Sequence, residues 1–273
     1  MSIFPGRIWV VAAVGLLFFL ADRPTAHALV LDWDSVTWSP GFLNNSYDLN
    51  GDAVNDITVS ITSRQANVWT NDPGTGDLTP SISQTMTGGL LPAQNSLILA
   101  ANLKTQSDIT VQLTFTGGNG PLNTPGANNV SFTIFDIDVT TNSDIISEIY
   151  GVAPDGTHVA ATLTNIGPTV TLTGTGLNQV LSGNAAAANN SGDGNVTVSF
   201  GSTLITDVFF TFSNTAGAPR YQDIGIGDIT FTPVPEINPA MTAAGSCLLA
   251  LGLTFVARRR AKNKASRPHS TES

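Results

Sequence analysis

The chain has 273 residues and a formal net charge of −9 at pH 7. Between Leu29 and Pro239, three basic residues stand against 18 acidic ones, a formal charge of −15 that repels nucleic acid and anionic lipid surfaces. The one cysteine, Cys247, lies in a C-terminal apolar run, so the middle of the chain has neither a disulfide nor a thiolate nucleophile.

The N-terminal segment has the pattern of a secretory signal. Arg7 is followed by an apolar run over residues 8–20, and Ala26-His27-Ala28 fits the small-x-small rule for signal peptidase. The run is shorter than the ~20 residues that span a bilayer. We expect export through the secretion machinery and cleavage after Ala28, with a membrane anchor as the alternative.

The middle of the chain, residues 29–232, is predicted to be one all-β domain, a two-sheet β-sandwich. Apolar and polar residues alternate, as in Ile57-Thr58-Val59-Ser60-Ile61, and turn residues separate short runs of this kind. Asp, Asn, Gly and Thr are abundant, whereas the helix formers Lys, Glu and Arg are scarce. Strands are predicted at residues 56–62, 107–116, 129–138, 157–164, 169–173, 195–200, 204–212 and 223–232, and a mobile loop at 184–194.

An acidic loop precedes the strand at residue 57. Asp48, Asn50, Asp52 and Asp56 place oxygen side chains at alternate positions around Gly51, the donor type that Ca²⁺ prefers. The loop departs from an EF-hand, because no Glu occupies position twelve and a strand follows it. It predicts a Ca²⁺ site, with an acidic turn leading into a strand as the alternative.

A second acidic pair, Asp136 and Asp138, lies two residues apart and is predicted to share one face of a strand end. Three readings stay open: a strand end that meets solvent, a second Ca²⁺ site, and a pair of glycosidase carboxylates. Two further pairs offer oxygen ligands for a cation, namely Asp32 with Asp34 and Asp223 with Asp228. The alternative is that they lie in solvated turns.

The chain has few of the residues that most classes of enzyme use for catalysis. After cleavage His158 is the one histidine of the middle domain, so neither a zinc site nor a Ser-His-Asp triad is evident. There is no phosphate loop and no dinucleotide fingerprint. Trp33 and Trp38 are expected in the core, and Trp69 is the tryptophan most suited to contact a sugar.

The C-terminal segment begins with a proline-rich linker, residues 233–239. An 18-residue uncharged stretch follows at 240–257, near the minimum for a transmembrane helix, and then Arg258, Arg259 and Arg260 open a basic tail, 258–273. Basic residues stay on the cytoplasmic side, so the expected orientation is N-out and C-in.

Val234-Pro235-Glu236, the apolar stretch and the arginine cluster together resemble the PEP-CTERM sorting signal of exosortase substrates. The resemblance covers about residues 234–260 and implies processing by an exosortase-type enzyme. Ile237 stands where that family has its second proline, and the tail after the arginines is longer than usual. Retention as a plain single-pass anchor stays open.

The phrases Phe132-Thr133-Ile134-Phe135-Asp136-Ile137-Asp138, Asp155-Gly156-Thr157 and the run from Ile224 to Phe231 resemble bacterial surface jelly-roll domains. This resemblance implies a jelly-roll sandwich and a place in adhesion, biofilm or extracellular matrix, without a reaction. The expectation is an exported, non-enzymatic surface protein. The alternatives are a carbohydrate-binding module for exopolysaccharide and, last, a glycan-active hydrolase.

Overall fold

The computed structural model describes residues 27–104, 108–116 and 125–234, which form one all-β unit. Its sixteen strands, in chain order, are β1 Leu29–Leu31, β2 Asn44–Tyr47, β3 Ile57–Ser63, β4 Ser81–Ser83, β5 Ser96–Leu103, β6 Ile109–Phe115, β7 Ala127–Phe135, β8 Asp144–Val152, β9 His158–Ala160, β10 Thr162–Thr164, β11 Val170–Thr173, β12 Val180–Gly183, β13 Val196–Ser199, β14 Asp207–Asn214, β15 Arg220–Ile226 and β16 Ile229–Pro233. A single 3₁₀ turn, Gly176–Asn178, is the helical element of these residues.

The strands form two antiparallel sheets that pack as a sandwich, which confirms the predicted all-β, two-sheet architecture. Sheet I begins with the strand order β10–β13–β7, and β7 then pairs with both β15 and β16. Beyond β15 the sheet continues with β5 and β4, and beyond β16 it continues with β1. Sheet II runs β11–β12–β8–β14–β6–β3–β2, with β9 also on β8. From β5 to β8 each strand crosses to the other sheet, as the strands of jelly-roll-like sandwiches do.

The core follows from the alternation read in the sequence. Val111 and Leu113 of sheet II point inward, while their polar neighbours Gln112 and Thr114 point outward. Phe132 of sheet I stacks on Phe210 of sheet II with ring centroids 5.9 Å apart. Trp33 and Trp38 lie in the same core, 1% and 6% exposed.

Strand β5 departs from alternation, because residues 96–101 are buried on both faces. Its inner face packs into the sandwich, whereas Ile98 packs outside sheet I against Met86 and Phe135. The segment between β4 and β5 covers this part of the outer face. The sequence of β5 is therefore a nearly continuous apolar run, which is harder to recognise as a strand than an alternating one.

Three predicted strands differ from the observed ones by more than a shift of their ends. The strand predicted at 223–232 is two strands, separated at Gly227 and Asp228. The strand predicted at 157–164 divides at Ala161 into β9 of sheet II and β10 of sheet I. The strand predicted at 129–138 ends at Phe135, because Asp136 adopts a positive φ of 66°.

Most of the predicted signal peptide, 1–28, and of the linker, 233–239, lies outside the described residues, as do the transmembrane helix 240–257 and the basic tail 258–273. Among the residues that the structure describes, no helix has the length and apolarity needed to cross a bilayer.

Candidate functional site

A groove of about 360 Å³ lies on the outer face of sheet I. This volume falls within the about 300–1,000 Å³ that small-molecule sites occupy. Strands β7 and β13 and the segments at residues 90–95, 165 and 195 form its walls. The lining residues are Leu90, Gln94, Asn95, Thr133, Phe135, Asn165, Asn195, Thr197, Gly227 and Asp228.

Two threonines of adjacent strands supply hydroxyl groups to the groove. Thr133 of β7 and Thr197 of β13 are register partners that point away from the core, because Phe132, Ile134, Val196 and Val198 point inward. Their hydroxyl oxygens are 3.3 Å apart, and Asn165 Nδ2 donates to Thr197 Oγ1 at 3.2 Å. The sheet therefore holds a fixed row of polar groups.

The floor beside this row is the Phe135 ring, which is 3% exposed. A Cβ on Gly88 would lie 2.4 Å from Phe135 Cδ1, and one on Gly227 would lie 2.7 Å from Phe135 Cζ. Real Cβ atoms do not approach so closely, so both positions need glycine for the ring to fit. Phe135 gives the groove a rigid apolar base.

Asn195 links the groove to the segment that covers β5. Its Nδ2 donates to the Gly88 carbonyl oxygen at 2.8 Å, which fixes the orientation of the amide. The other amide atom, Oδ1, is buried and has no hydrogen-bond partner within the protein. A buried acceptor left unpaired destabilises a fold unless a water molecule or a ligand donates a hydrogen bond to it.

Asp228 is the one carboxylate among the lining residues. Its Oδ1 accepts a hydrogen bond from the Trp33 main-chain N at 3.1 Å, and Trp33 Nε1 donates to the Gly227 carbonyl oxygen at 3.0 Å. Burial raises the pKa of Asp228, and the nearby Asp32 and Asp34 charges add to the effect. Glycoside hydrolysis by the usual mechanism needs two carboxylates across the bond, and the lining residues of this groove include one.

The structure brings the predicted loop residues Asp48, Asn50, Asp52 and Asp56 together. However, main-chain N–H groups of the same loop already donate hydrogen bonds to several of their side-chain oxygen atoms. Asp48 accepts from Gly51, Asp52 and Ala53 at 2.7–3.2 Å, and Asp56 Oδ2 accepts from Leu49 and Asn50. Burial raises the pKa of Asp56 most, and the Asp52 and Asp48 charges raise it further. These hydrogen bonds are compatible with an acidic turn and with a loop that binds Ca²⁺, so the calcium site at this loop stays a prediction.

Asp136 and Asp138 lie in a turn beyond β7, and the structure adds Asp144, the first residue of β8, to them. All three are buried, with 7%, 4% and 1% exposure. Burial raises the pKa of Asp136 to about 7, with the Asp138 and Asp223 charges contributing. Burial also raises the pKa of Asp138 and, well above its ordinary value, that of Asp144.

Asp223 of β15 lies near this group on the outer face of sheet I. Tyr221 Oη donates to Asp223 Oδ2 at 2.9 Å. Burial raises the pKa of Asp223 to about 6, and the Asp138 and Asp72 charges add to that rise. Within residues 27–104, 108–116 and 125–234, no three His, Cys, Asp or Glu side chains are arranged as a ready metal-binding group.

Trp69 is partly buried and packs against the core, and it forms an isolated bridge with Ala101 of β5. It is not a lining residue of the groove. The described aromatic row nearest to a stacking platform is on sheet II, where Tyr150 lies between His158, at 4.2 Å, and Phe209, at 5.3 Å. Both faces of the Tyr150 ring are therefore covered by its neighbours and are not open to a sugar.

The sorting residues lie at the end of the described chain or beyond it. Val234 follows β16, and its main-chain N donates to the Gly126 carbonyl oxygen at 3.3 Å. Pro235, Glu236, Arg258, Arg259 and Arg260 fall outside the described residues, so the predicted exosortase signal stays a prediction.

No family model matches the chain, and no curated protein matches it. Among solved structures, it is similar to a family 11 carbohydrate-binding module from Clostridium thermocellum in complex with a β-1,3-1,4-mixed-linked tetrasaccharide. The two share 10% identity and a TM-score of 0.30, over 78% of this chain and 99% of that one. A family 11 module of a cellulosomal cellulase from the same organism matches with 10% identity and a TM-score of 0.29, over 78% of this chain and 98% of that one.

Sequence reasoning missed the amides of the groove. Period-two alternation in the predicted strands 129–138 and 195–200 indicates that Thr133, Asn195 and Thr197 face outward, but it does not show that they lie together. Asn165 follows a short strand, in a segment that has no such period. Asn is also a common turn residue, which hides a binding asparagine among many structural ones.

Proposed function

We propose that this protein is a non-catalytic polysaccharide-binding protein, exported and held at the cell surface or in the extracellular matrix. The groove on sheet I is the proposed sugar site. Adhesion or matrix organisation would follow from binding polysaccharide while the predicted C-terminal helix holds the chain in the membrane, before or without exosortase processing.

The observation that carries the sugar proposal is the unpaired Asn195 Oδ1 in a groove whose polar groups are neutral apart from Asp228. Sugar hydroxyls both donate and accept hydrogen bonds, and an amide offers both functions from one side chain. Four amides, from Gln94, Asn95, Asn165 and Asn195, line the groove together with two threonine hydroxyls. This set suits a neutral, hydroxyl-rich ligand.

Charge supports a neutral or cationic glycan over an acidic one. The groove contains Asp228 and no basic residue among its lining residues. The region from Leu29 to Pro239 is acidic as a whole, so an anionic polysaccharide would be repelled. Leu90, which is 46% exposed, gives an apolar surface for the C–H face of a sugar ring.

The test is binding of the full chain to an array of neutral, acidic and amino glycans, followed by calorimetry on the best ligand. Asn195→Ala and Thr197→Val should each weaken binding about tenfold, since each removes a hydrogen-bonding group worth roughly 1.4 kcal/mol. Asn178→Ala, an exposed asparagine on the 3₁₀ turn, is the matched control and should bind like the parent.

Because Asn195 Nδ2 also bonds Gly88, the melting temperature of each variant must be measured beside its affinity. Thr197→Val keeps the shape of the side chain and so separates lost contact from lost folding. Absence of glycan binding by the parent chain, or equal affinity for the parent and both groove variants, would refute the proposal.

A further inference from the structure

The turn between β7 and β8 buries three carboxylates within nine residues of chain. Asp144 is 1% exposed, Asp138 is 4% exposed and Asp136 is 7% exposed. No described Lys, Arg or His forms an ion pair with any of them. Buried carboxylates without a positive partner are unfavourable, because burial removes the hydration that stabilises their charge.

Hydrogen bonds satisfy only part of this group. Asp144 Oδ2 accepts from the Asp138 main-chain N at 3.2 Å, and Asp138 Oδ2 accepts from the Ala187 main-chain N at 2.8 Å. Asp144 Oδ1 and Asp136 Oδ1 are buried and have no hydrogen-bond partner within the protein. Two acceptor oxygens in one acidic neighbourhood therefore lack any donor, which is the condition that a bound cation relieves.

We propose that Asp136, Asp138 and Asp144 bind a divalent cation of the calcium type. The donors are hard oxygens, with no histidine or thiolate among them, which favours Ca²⁺ over transition metals. Ca²⁺ takes six to eight oxygens, so main-chain carbonyl groups or water must complete the shell. Since no three side chains are already arranged around one point, at least one of them rotates when the ion binds.

Such an ion would join the ends of two strands that belong to different sheets. Asp136 and Asp138 follow β7 of sheet I, and Asp144 begins β8 of sheet II. The segment from 183 to 194 packs on the same turn, through Ile137 N to the Gly194 carbonyl and Val139 N to the Ala185 carbonyl. The ion therefore fixes the connection between the two sheets, whether or not the groove binds sugar.

The test compares thermal melts of the full chain after chelation and with about 10 mM Ca²⁺, well above the dissociation constants of about 10⁻⁴–10⁻³ M that are usual for extracellular calcium modules. Ca²⁺ should raise the melting temperature by about 5 °C. Mg²⁺ at the same concentration and NaCl at the same ionic strength control for general screening of this acidic domain.

Asp144→Asn is the decisive variant, because it keeps the side-chain shape and removes the charge. It should abolish the Ca²⁺ response and, in chelator, melt at or above the temperature of the parent, since a neutral amide suits a buried site better than an unpaired carboxylate. Asp136→Asn should also reduce the rise in melting temperature that Ca²⁺ produces. Asp48→Asn, in the other acidic loop, is the matched control and should keep it.

Equilibrium dialysis should find Ca²⁺ bound to the parent chain and none at this site in Asp144→Asn, which keeps the test decisive if the melting curves are complex. No Ca²⁺ response in the parent, an equal response to Mg²⁺, or a response that Asp48→Asn removes and Asp144→Asn retains would overturn the proposal.

Discussion

Asp138 and Asp144 are joined by two hydrogen bonds, and each residue donates one of them. Asp144 N donates to the Asp138 carbonyl oxygen at 3.0 Å, and Asp138 N donates to Asp144 Oδ2 at 3.2 Å. The pair closes the turn by which the chain passes from sheet I to sheet II. Gly183, at the end of β12, lies directly against it, and Ser143 Oγ donates to the Gly183 carbonyl oxygen at 2.7 Å.

Gly183→Ala should be strongly destabilising. Its Cβ would lie 1.8 Å from the Asp138 carbonyl oxygen, and main-chain atoms held in a turn cannot give way as a flexible side chain can. We expect a loss of about 3 kcal/mol or more in the free energy of unfolding, measured by urea denaturation. Gly217→Ala, where no atom lies within 4 Å of the new Cβ, should change it little. Equal effects of the two substitutions would show that the turn is not packed as described.

Phe210→Ala should cost about 3–5 kcal/mol of folding stability. The ring is fully buried and stacks on Phe132 of the opposite sheet, so its removal leaves a cavity between the sheets. Phe42→Ala, with a side chain that is 62% exposed, should cost less than about 0.5 kcal/mol. Denaturant titration of both variants measures the contrast, and a small loss for Phe210→Ala would contradict a common core.

Asp72 should make stability sensitive to acid. Burial alone would raise its pKa, but hydrogen bonds from Ser83, Thr85 and the Gly74 main chain outweigh burial and lower it. A carboxyl with a lowered folded pKa stabilises the fold above its unfolded pKa, and that stability is lost as pH falls through the folded value. Asp72→Asn should therefore cost about 2 kcal/mol at pH 7.

The difference between the parent and Asp72→Asn should shrink as pH falls below the ordinary Asp value of 3.8, because the parent then loses its own carboxylate. Urea unfolding at neutral and acidic pH measures this difference. Asp77→Asn, an exposed neighbour, should follow the parent throughout. A gap that stays constant with pH would mean that the Asp72 charge contributes nothing.

Asp48→Ala should destabilise the loop by about 1 kcal/mol, comparable to loss of a helix cap. Three main-chain N–H groups lose their acceptor, including that of Ala53, which is held at a positive φ of 69°. The loss should be the same in chelator and in Ca²⁺, as judged by thermal melts, with Asp77→Ala as the exposed control. A loss seen only with Ca²⁺ would support the calcium prediction for this loop.

The all-β class could be predicted from the sequence, because successive residues in β3, β6 and β7 alternate between apolar and polar. A sheet with one buried face imposes that period directly, so Ile57, Val59 and Ile61 could be placed in a core before any contact was known. The acidic loop at 48–56 and the acidic pair after β7 were also visible, since their ligands are neighbours in the chain.

Pairing between distant residues was not accessible in this way. Asn195 meets Gly88 across 107 positions of the chain. Asp144 is close to Asp138 in the chain, but its place beside the acidic pair depends on the turn that leads from β7 to β8. Local pattern also misled at Asp136, where the polypeptide leaves the strand although the sequence continues to alternate between apolar and acidic residues. Trp69, selected for its surroundings in sequence, turned out to pack against the core instead of lining the groove.

The sequence by itself determined the strand-forming character of the middle domain, its acidity and the apolar segments at both ends, because these depend on composition and on contacts between near neighbours. Only the tertiary structure decided which face carries the groove, which amide remains unpaired and which three carboxylates share a buried turn. Those features depend on how two sheets bring remote segments within hydrogen-bonding distance, and no local period encodes that.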